Sequence, residues 1–213
     1  MVPIGHFMVP VTRFVFRGAA ADGRAKIYTI PADGGTPEAV TAGKGGEDDP
    51  TWSPDGNGVM FSDGGNTPDS NVKVLSLNTH TVTEIPGSKG LFSPRWSPDG
   101  RYAAALTVGN YKLMLFDFKT QKWEALSGGG ASFPNWSKDV KYVYFDELGT
   151  PAAAFFRVEI ATRRIEEVAR LGNAHPADGI AGLPWVGVTP DGSPRIARQA
   201  GSQEIYALDV DFP

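Results

Sequence analysis

The chain has 213 residues, a formal net charge of −4 and a pI near 5.4, so its bulk charge gives nucleic acid no basic surface to bind. Hydrophobic residues make up 41% and aromatics 11%, which excludes a disordered chain and supplies the core of an all-β domain of this size. The absence of cysteine excludes disulfides and thiolate catalysis and leaves the redox compartment open.

Taken in chain order, residues Met1 to Met8 are apolar but lack a basic start and an h-region of adequate length, so they read as a strand and not as a signal peptide. No stretch approaches the roughly 20 apolar residues of a membrane span. Strands are then predicted at Val11–Phe16, Ile27–Ile30 and Pro37–Thr41. The acidic run Glu47-Asp48-Asp49 follows, and after it the five residues Trp52-Ser53-Pro54-Asp55-Gly56. This pentad returns as Trp96-Ser97-Pro98-Asp99-Gly100, in worn form as Trp136-Ser137-Lys138-Asp139, and more distantly as Val188-Thr189-Pro190-Asp191-Gly192. Self-similarity at a period of roughly 40 residues means one supersecondary unit copied along the chain.

Each copy reads the same way. Pro50-Thr51-Trp52 predicts a short strand with the proline at its start. Pro-Asp-Gly is turn chemistry: the proline presets φ, the aspartate bonds its own backbone and the glycine accepts φ > 0. A second strand follows (Val59–Phe61, Tyr102–Leu106, Tyr142–Phe145), then a polar connection, a third strand such as Val72–Leu77, a short turn, and a fourth strand at Val82–Ile85, Trp123–Leu126 or Ile165–Val168. Four β-rich runs per repeat, broken by Gly, Pro, Asn and Asp, predict an all-β protein, a β-propeller of four-stranded antiparallel blades with about five units. The units run roughly 1–45, 46–89, 90–130, 131–172 and 173–213, in one domain over 1–213. The last holds strands at Leu183–Pro190, Pro194–Arg198 and Glu204–Val210 and has no fourth strand. Residues 2–9 would either close the ring against that blade or belong to an open part of a larger propeller.

The repeats resemble the bacterial TolB-like, WD-like β-propeller repeat, through the pentads and through Ile27-Tyr28-Thr29-Ile30 and Ile205-Tyr206-Ala207-Leu208-Asp209. The carboxyl end resembles the C-terminal propellers of bacterial winged-helix regulators and Ser/Thr kinases, whose DNA-binding and kinase domains have no counterpart here. The resemblance implies a fold and a sensor-like binding role. It also implies that a periplasmic location is compatible with the sequence, although no signal peptide is seen and localisation stays open.

Residues repeated in every blade serve every blade. Asp55, Asp99, Asp139 and Asp191 are therefore expected to close turns, and Trp52, Trp96 and Trp136 to lie buried between sheets, while Trp123 on an outer strand should matter less. Ligand contact is expected where blades differ, in loops at the channel mouth: Glu47, Asp48 and Asp49 in one inter-blade connection, and His175 and Asp178 in another. The acidic run could hold Ca²⁺, yet it lacks the alternating carboxylates of a calcium loop, and a solvated negative surface is the favoured reading. His80 falls in a short exposed turn, and Arg163-Arg164 reads as a solvated pair. Asn135-Trp136-Ser137 matches a glycosylation acceptor by pattern but sits on an inner strand. No nucleophile elbow, phosphate loop, dinucleotide fingerprint or zinc spacing occurs. The expectation is a non-catalytic scaffold for a protein, peptide or small ligand, with no catalytic residue, no metal and no nucleic-acid partner. The alternative is a lactonase- or glycosidase-type propeller enzyme with polar residues in the channel.

Overall fold

The computed structural model describes residues 12–42, 46–147, 154–170, 186–189 and 191–196. His175, Asp178, residues 2–9 and the strand expected at 204–210 lie outside them.

The described residues form seventeen strands, with no helix among them. Blade 1 comprises β1 (Arg13–Ala19), β2 (Ala25–Pro31) and β3 (Glu38–Ala39). Blade 2 comprises β4 (Glu47–Trp52), β5 (Gly58–Asp63), β6 (Asn71–Ser76) and β7 (Val82–Glu84). Blade 3 comprises β8 (Leu91–Trp96), β9 (Tyr102–Thr107), β10 (Leu113–Asp117) and β11 (Lys122–Ala125). Blade 4 comprises β12 (Ala131–Trp136), β13 (Tyr142–Glu147), β14 (Ala154–Glu159) and β15 (Ile165–Arg170). β16 (Val186–Val188) and β17 (Pro194–Ile196) begin a further sheet. Within each sheet the strands pair antiparallel in chain order. The first strands of successive sheets, β4, β8, β12 and β16, pack side by side. These are the axial strands, and the sheets are blades of a β-propeller.

Period-two alternation gives each blade two apolar faces, and adjacent blades share a layer. Ala103, Ala105 and Phe116 of blade 3 pack with Met60, Val72 and Ile85 of blade 2. Ala104, Leu106, Leu113 and Leu115, on the opposite face of blade 3, pack with Val143, Phe145 and Val158 of blade 4. A strand buried on both faces cannot alternate polar with apolar, which is why Tyr102-Ala103-Ala104-Ala105-Leu106 reads as one continuous apolar run.

Trp52, Trp96 and Trp136 sit in three successive inter-blade layers, as expected, but only partly buried at their edges. Trp123, on the outer strand β11, packs against the same layer as Trp96 and donates from Nε1 to the Pro86 carbonyl of the neighbouring blade at 2.9 Å. The outer-strand position therefore does not isolate this indole, which is long enough to reach across to the next blade. Arg163 is not simply solvated either. It forms an ion pair with Glu124 on β11, while Arg164 stays exposed beside Glu166.

The axial strands start three residues earlier than predicted. Pro50, Pro94 and Pro134 are not strand starts but lie at bulges, where the ladder register shifts between Asp48 and Thr51, Phe92 and Arg95, and Ser132 and Asn135. The residue before each proline is left-handed: Asp49 at φ 50°, Ser93 at 52° and Phe133 at 45°. A proline cannot donate to the ladder, so the extra bulge residue absorbs the break.

Candidate functional site

The repeated aspartates are occupied by their own turns. Asp99 accepts from Ser97 Oγ at 2.6 Å and from the Arg101 amide at 3.0 Å, while Ser97 Oγ accepts from the Tyr102 amide at 2.8 Å. Asp55, Asp139 and Asp191 repeat the arrangement with Ser53, Ser137 and Thr189. The hydroxyl bonds hold the Asp55, Asp139 and Asp191 carboxyls below their usual range. The fourth turn position takes a left-handed glycine at Gly56, Gly100 and Gly192, and a strained Val140 at φ 60°. A second set of repeated hydroxyls, without a motif to announce it, caps β2, β6 and β10: Thr41, Ser88 and Ser127 accept from the amides of Ile27, Val72 and Leu113, each at 3.0 Å. Its only sequence signal is a Ser or Thr one to three residues after the last apolar residue of the outermost strand.

At the opposite end of the blades, the loops entering the axial strands meet the loops between second and third strands. The Gly64 amide donates to the Gly46 carbonyl at 3.0 Å, the Gly90 amide to the Ser70 carbonyl at 2.7 Å, and the Ala131 amide to the Tyr111 carbonyl at 2.9 Å. Asn66 reaches across to the Tyr111 hydroxyl at 2.8 Å. This end is a single loop face.

Just below that face the repeat breaks. The position after each bulge proline holds Thr51, Arg95 or Asn135, all buried. The amide nitrogen of Asn135 donates to the Phe133 carbonyl at 2.8 Å, so the pattern match at this asparagine falls on a buried, bonded side chain. Arg95 places its guanidinium between β8 and β4, with a side chain only 4% exposed. It donates from Nη1 to its neighbour's carbonyl, Pro94 O, at 2.8 Å; Nη2 stands 3.8 Å from Asp49 Oδ1; and Nε has no partner. Burial pulls the Arg95 pKa down, opposed by the charges of Asp49 and Asp48. Asp48, 43% exposed, lies 3.5 Å from Arg17 Nε of blade 1. Burial, together with the charge of Asp49, raises its carboxyl above the usual range.

The acidic run is therefore not a connecting loop, as the sequence suggested, but the opening of axial strand β4. Its three residues have different fates. Glu47 is buried and accepts a hydrogen bond from the Thr41 hydroxyl, tying blade 1 to blade 2. Asp48 and Asp49 join Arg17 and Arg95 in a cluster shared by three blades. Arg17 and Arg95 were missed from the sequence because neither lies in a motif. The available signal was an arginine where the neighbouring repeats have threonine and asparagine. Among the described residues no group of three or more His, Cys, Asp and Glu side chains is placed to hold a metal ion. A second polar pair, Ser132 and Asp146 of blade 4, is also buried; Ser132 donates to the carboxylate, whose pKa burial raises to about 6.

No protein-family model and no curated protein matches the sequence. Solved structures do. TolB from Acinetobacter baumannii superposes with a TM-score of 0.71 at 18% identity over 90% of this chain and 48% of its own. The protein assigned as TolB in Agrobacterium tumefaciens gives 0.65 at 18% identity over 75% of this chain and 61% of its own. The fold is a TolB-like β-propeller. A chain of a nidogen/laminin complex (TM-score 0.62, 14% identity, 83% of this chain and 64% of its own) has the same architecture. Part of a prolyl endopeptidase is similar as well (0.55, 16% identity, 84% of this chain and 30% of its own). This chain spans about half to three fifths of the length of the two TolB proteins.

Proposed function

We propose that this TolB-like propeller is a non-catalytic binding scaffold that engages a protein or peptide partner on the loop face. One observation carries the reading. The polar residues copied in every blade are consumed in turns, whereas the break in the repeat sets Asp48, Asp49 and Arg95, with Arg17, into one cluster beneath that face. Partly exposed charges at a fixed position give specificity and register to an association. A propeller fold by itself supports binding and catalysis equally, so the argument rests on the cluster.

The enzymatic alternative has its own observation, the Ser132–Asp146 pair with a carboxyl poised near neutral pH. Among the described residues the one histidine, His80, lies between β6 and β7 of another blade, so no described imidazole completes an acid–base set with that pair.

Site-specific photo-crosslinking with the full chain tests the proposal. A crosslinker at Asn66 or Lys89, on the loop face, is expected to capture a discrete partner; one at Lys138, in a Pro-Asp-Gly-type turn at the other end, is not. Capture from Lys138 alone, or hydrolase activity abolished by Asp146→Asn, would overturn it.

A further inference from the structure

The four charged groups beneath the loop face are held apart. Some ion pairs elsewhere in the molecule close to ordinary hydrogen-bond length, as between Arg13 and Glu38 at 2.8 Å or Arg157 and Glu166 at 2.7 Å, while the exposed Arg24–Asp22 and Lys89–Asp69 pairs stay open at 3.9 and 3.5 Å. The two in the cluster stay open: Arg17 Nε to Asp48 Oδ1 at 3.5 Å and Arg95 Nη2 to Asp49 Oδ1 at 3.8 Å. An arginine this deeply buried ordinarily satisfies its donors, because an unpaired buried donor has lost its water without gaining a replacement bond. Arg95 leaves Nε unpartnered. Asp49, still 25% exposed, stands in a left-handed bulge that fixes where its carboxylate points.

We infer that the Arg17–Asp48–Asp49–Arg95 cluster is a binding site for an uncharged amide, such as a backbone amide or an Asn or Gln side chain. The chemistry selects this class. Arg95 Nε needs an acceptor, and the Asp49 carboxylate, 3.8 Å from Arg95 Nη2, needs a donor, whereas Asp48 Oδ1 already accepts from the Asp49 amide at 2.9 Å; an amide offers acceptor and donor from adjacent atoms. The cluster holds two guanidiniums and two carboxylates, so its formal charges cancel. A neutral ligand preserves that balance. A carboxylate aimed at Arg95 would meet Asp49, and an ammonium aimed at Asp49 would meet Arg95, each at a cost in a poorly solvated place. The inference rests on the loop face being the binding face, but not on the identity of the partner.

The test titrates the ¹⁵N-labelled full chain with three isosteres, propionamide, propionate and propylammonium, and follows the Arg95 Nε–H resonance. Propionamide is expected to shift it saturably, the two ions at least tenfold more weakly. Asp49→Asn, which keeps the shape and removes the charged acceptor, is expected to weaken propionamide binding about tenfold while the backbone amide spectrum stays folded. No shift with propionamide, a stronger response to either ion, or an Asp49→Asn protein that binds propionamide as before overturns the inference. A failure here leaves the crosslinking pattern on the loop face unaffected, so the two proposals fail separately.

Discussion

Trp136 donates from its indole Nε1 to the backbone carbonyl of Arg95 on the neighbouring blade, at 2.9 Å. The repeat tryptophan of blade 4 thus holds the axial strand that carries the most unusual side chain of blade 3. The ring also stacks against Tyr102, with centroids 6.3 Å apart. Packing and hydrogen bond can be separated. Trp136→Phe removes the donor and keeps most of the ring, and is expected to cost about 1 kcal/mol. Trp136→Ala also loses the packing in a layer that cannot fully collapse, and should cost about 3 kcal/mol. Denaturant unfolding of both variants checks this; equal losses would mean that the hydrogen bond dominates.

Trp123 and Trp96 share one inter-blade layer. Trp96 bonds only within its own turn, to the Gly100 carbonyl at 3.3 Å, whereas Trp123 bonds across to Pro86. Trp123→Ala is therefore expected to lower the unfolding midpoint at least as much as Trp96→Ala. A clearly smaller effect would show that the outer indole does not hold the two blades together.

Val140 occupies a turn position that the other copies give to glycine. A β-branched residue at φ 60° carries left-handed strain on the order of 1–2 kcal/mol, part of which the greater chain entropy of unfolded glycine offsets. Val140→Gly should stabilise the protein by roughly 0.5–1 kcal/mol, read from the denaturation midpoint. A loss of stability would mean that Val140 contributes packing that outweighs its backbone.

Asp146 sets a pH dependence. Its carboxyl titrates at about 6 in the folded protein against 3.8 for the unconstrained group, because burial penalises the charged form. The folded state therefore holds a proton that the unfolded state has lost between these values. Its contribution to stability is present below pH 3.8 and is lost as pH rises through 6. Asp146→Asn, which cannot ionise, should match the native protein near pH 4 and exceed it by roughly 2 kcal/mol at pH 7.5. Thermal unfolding across that range decides the matter; an Asn variant less stable at pH 7.5 would mean that the ionised carboxylate is well satisfied by Ser132.

The period of the Trp-Ser-Pro-Asp-Gly copies made the blades and their strand order legible, because turn chemistry and continuous apolar runs are local properties of a sequence. The acidic run misled for the opposite reason. Glu47, Asp48 and Asp49 look like a solvated loop until the blades on either side supply Thr41 and Arg17 from one and Arg95 from the other. Those partners lie 6 to 46 residues away, and only tertiary packing shows them. The bulges at Asp49, Ser93 and Phe133 hid the true strand starts, since the residue before a proline normally favours extended backbone.

The account separates residues that build the blades from residues that bind. Its most direct test compares Asp48→Asn with Asp139→Ala, measuring thermal stability together with affinity for the partner captured on the loop face. Asp139 accepts from Ser137 Oγ at 2.7 Å and from the Lys141 amide at 3.1 Å. Its loss is expected to cost about 1–2 kcal/mol, a fall of roughly 3–6 °C in Tm, with partner affinity unchanged. Asp48→Asn is expected to leave Tm within about 2 °C and to weaken partner binding at least tenfold. The reverse pattern, with affinity lost through the turn aspartate and stability lost through Asp48, would contradict the account.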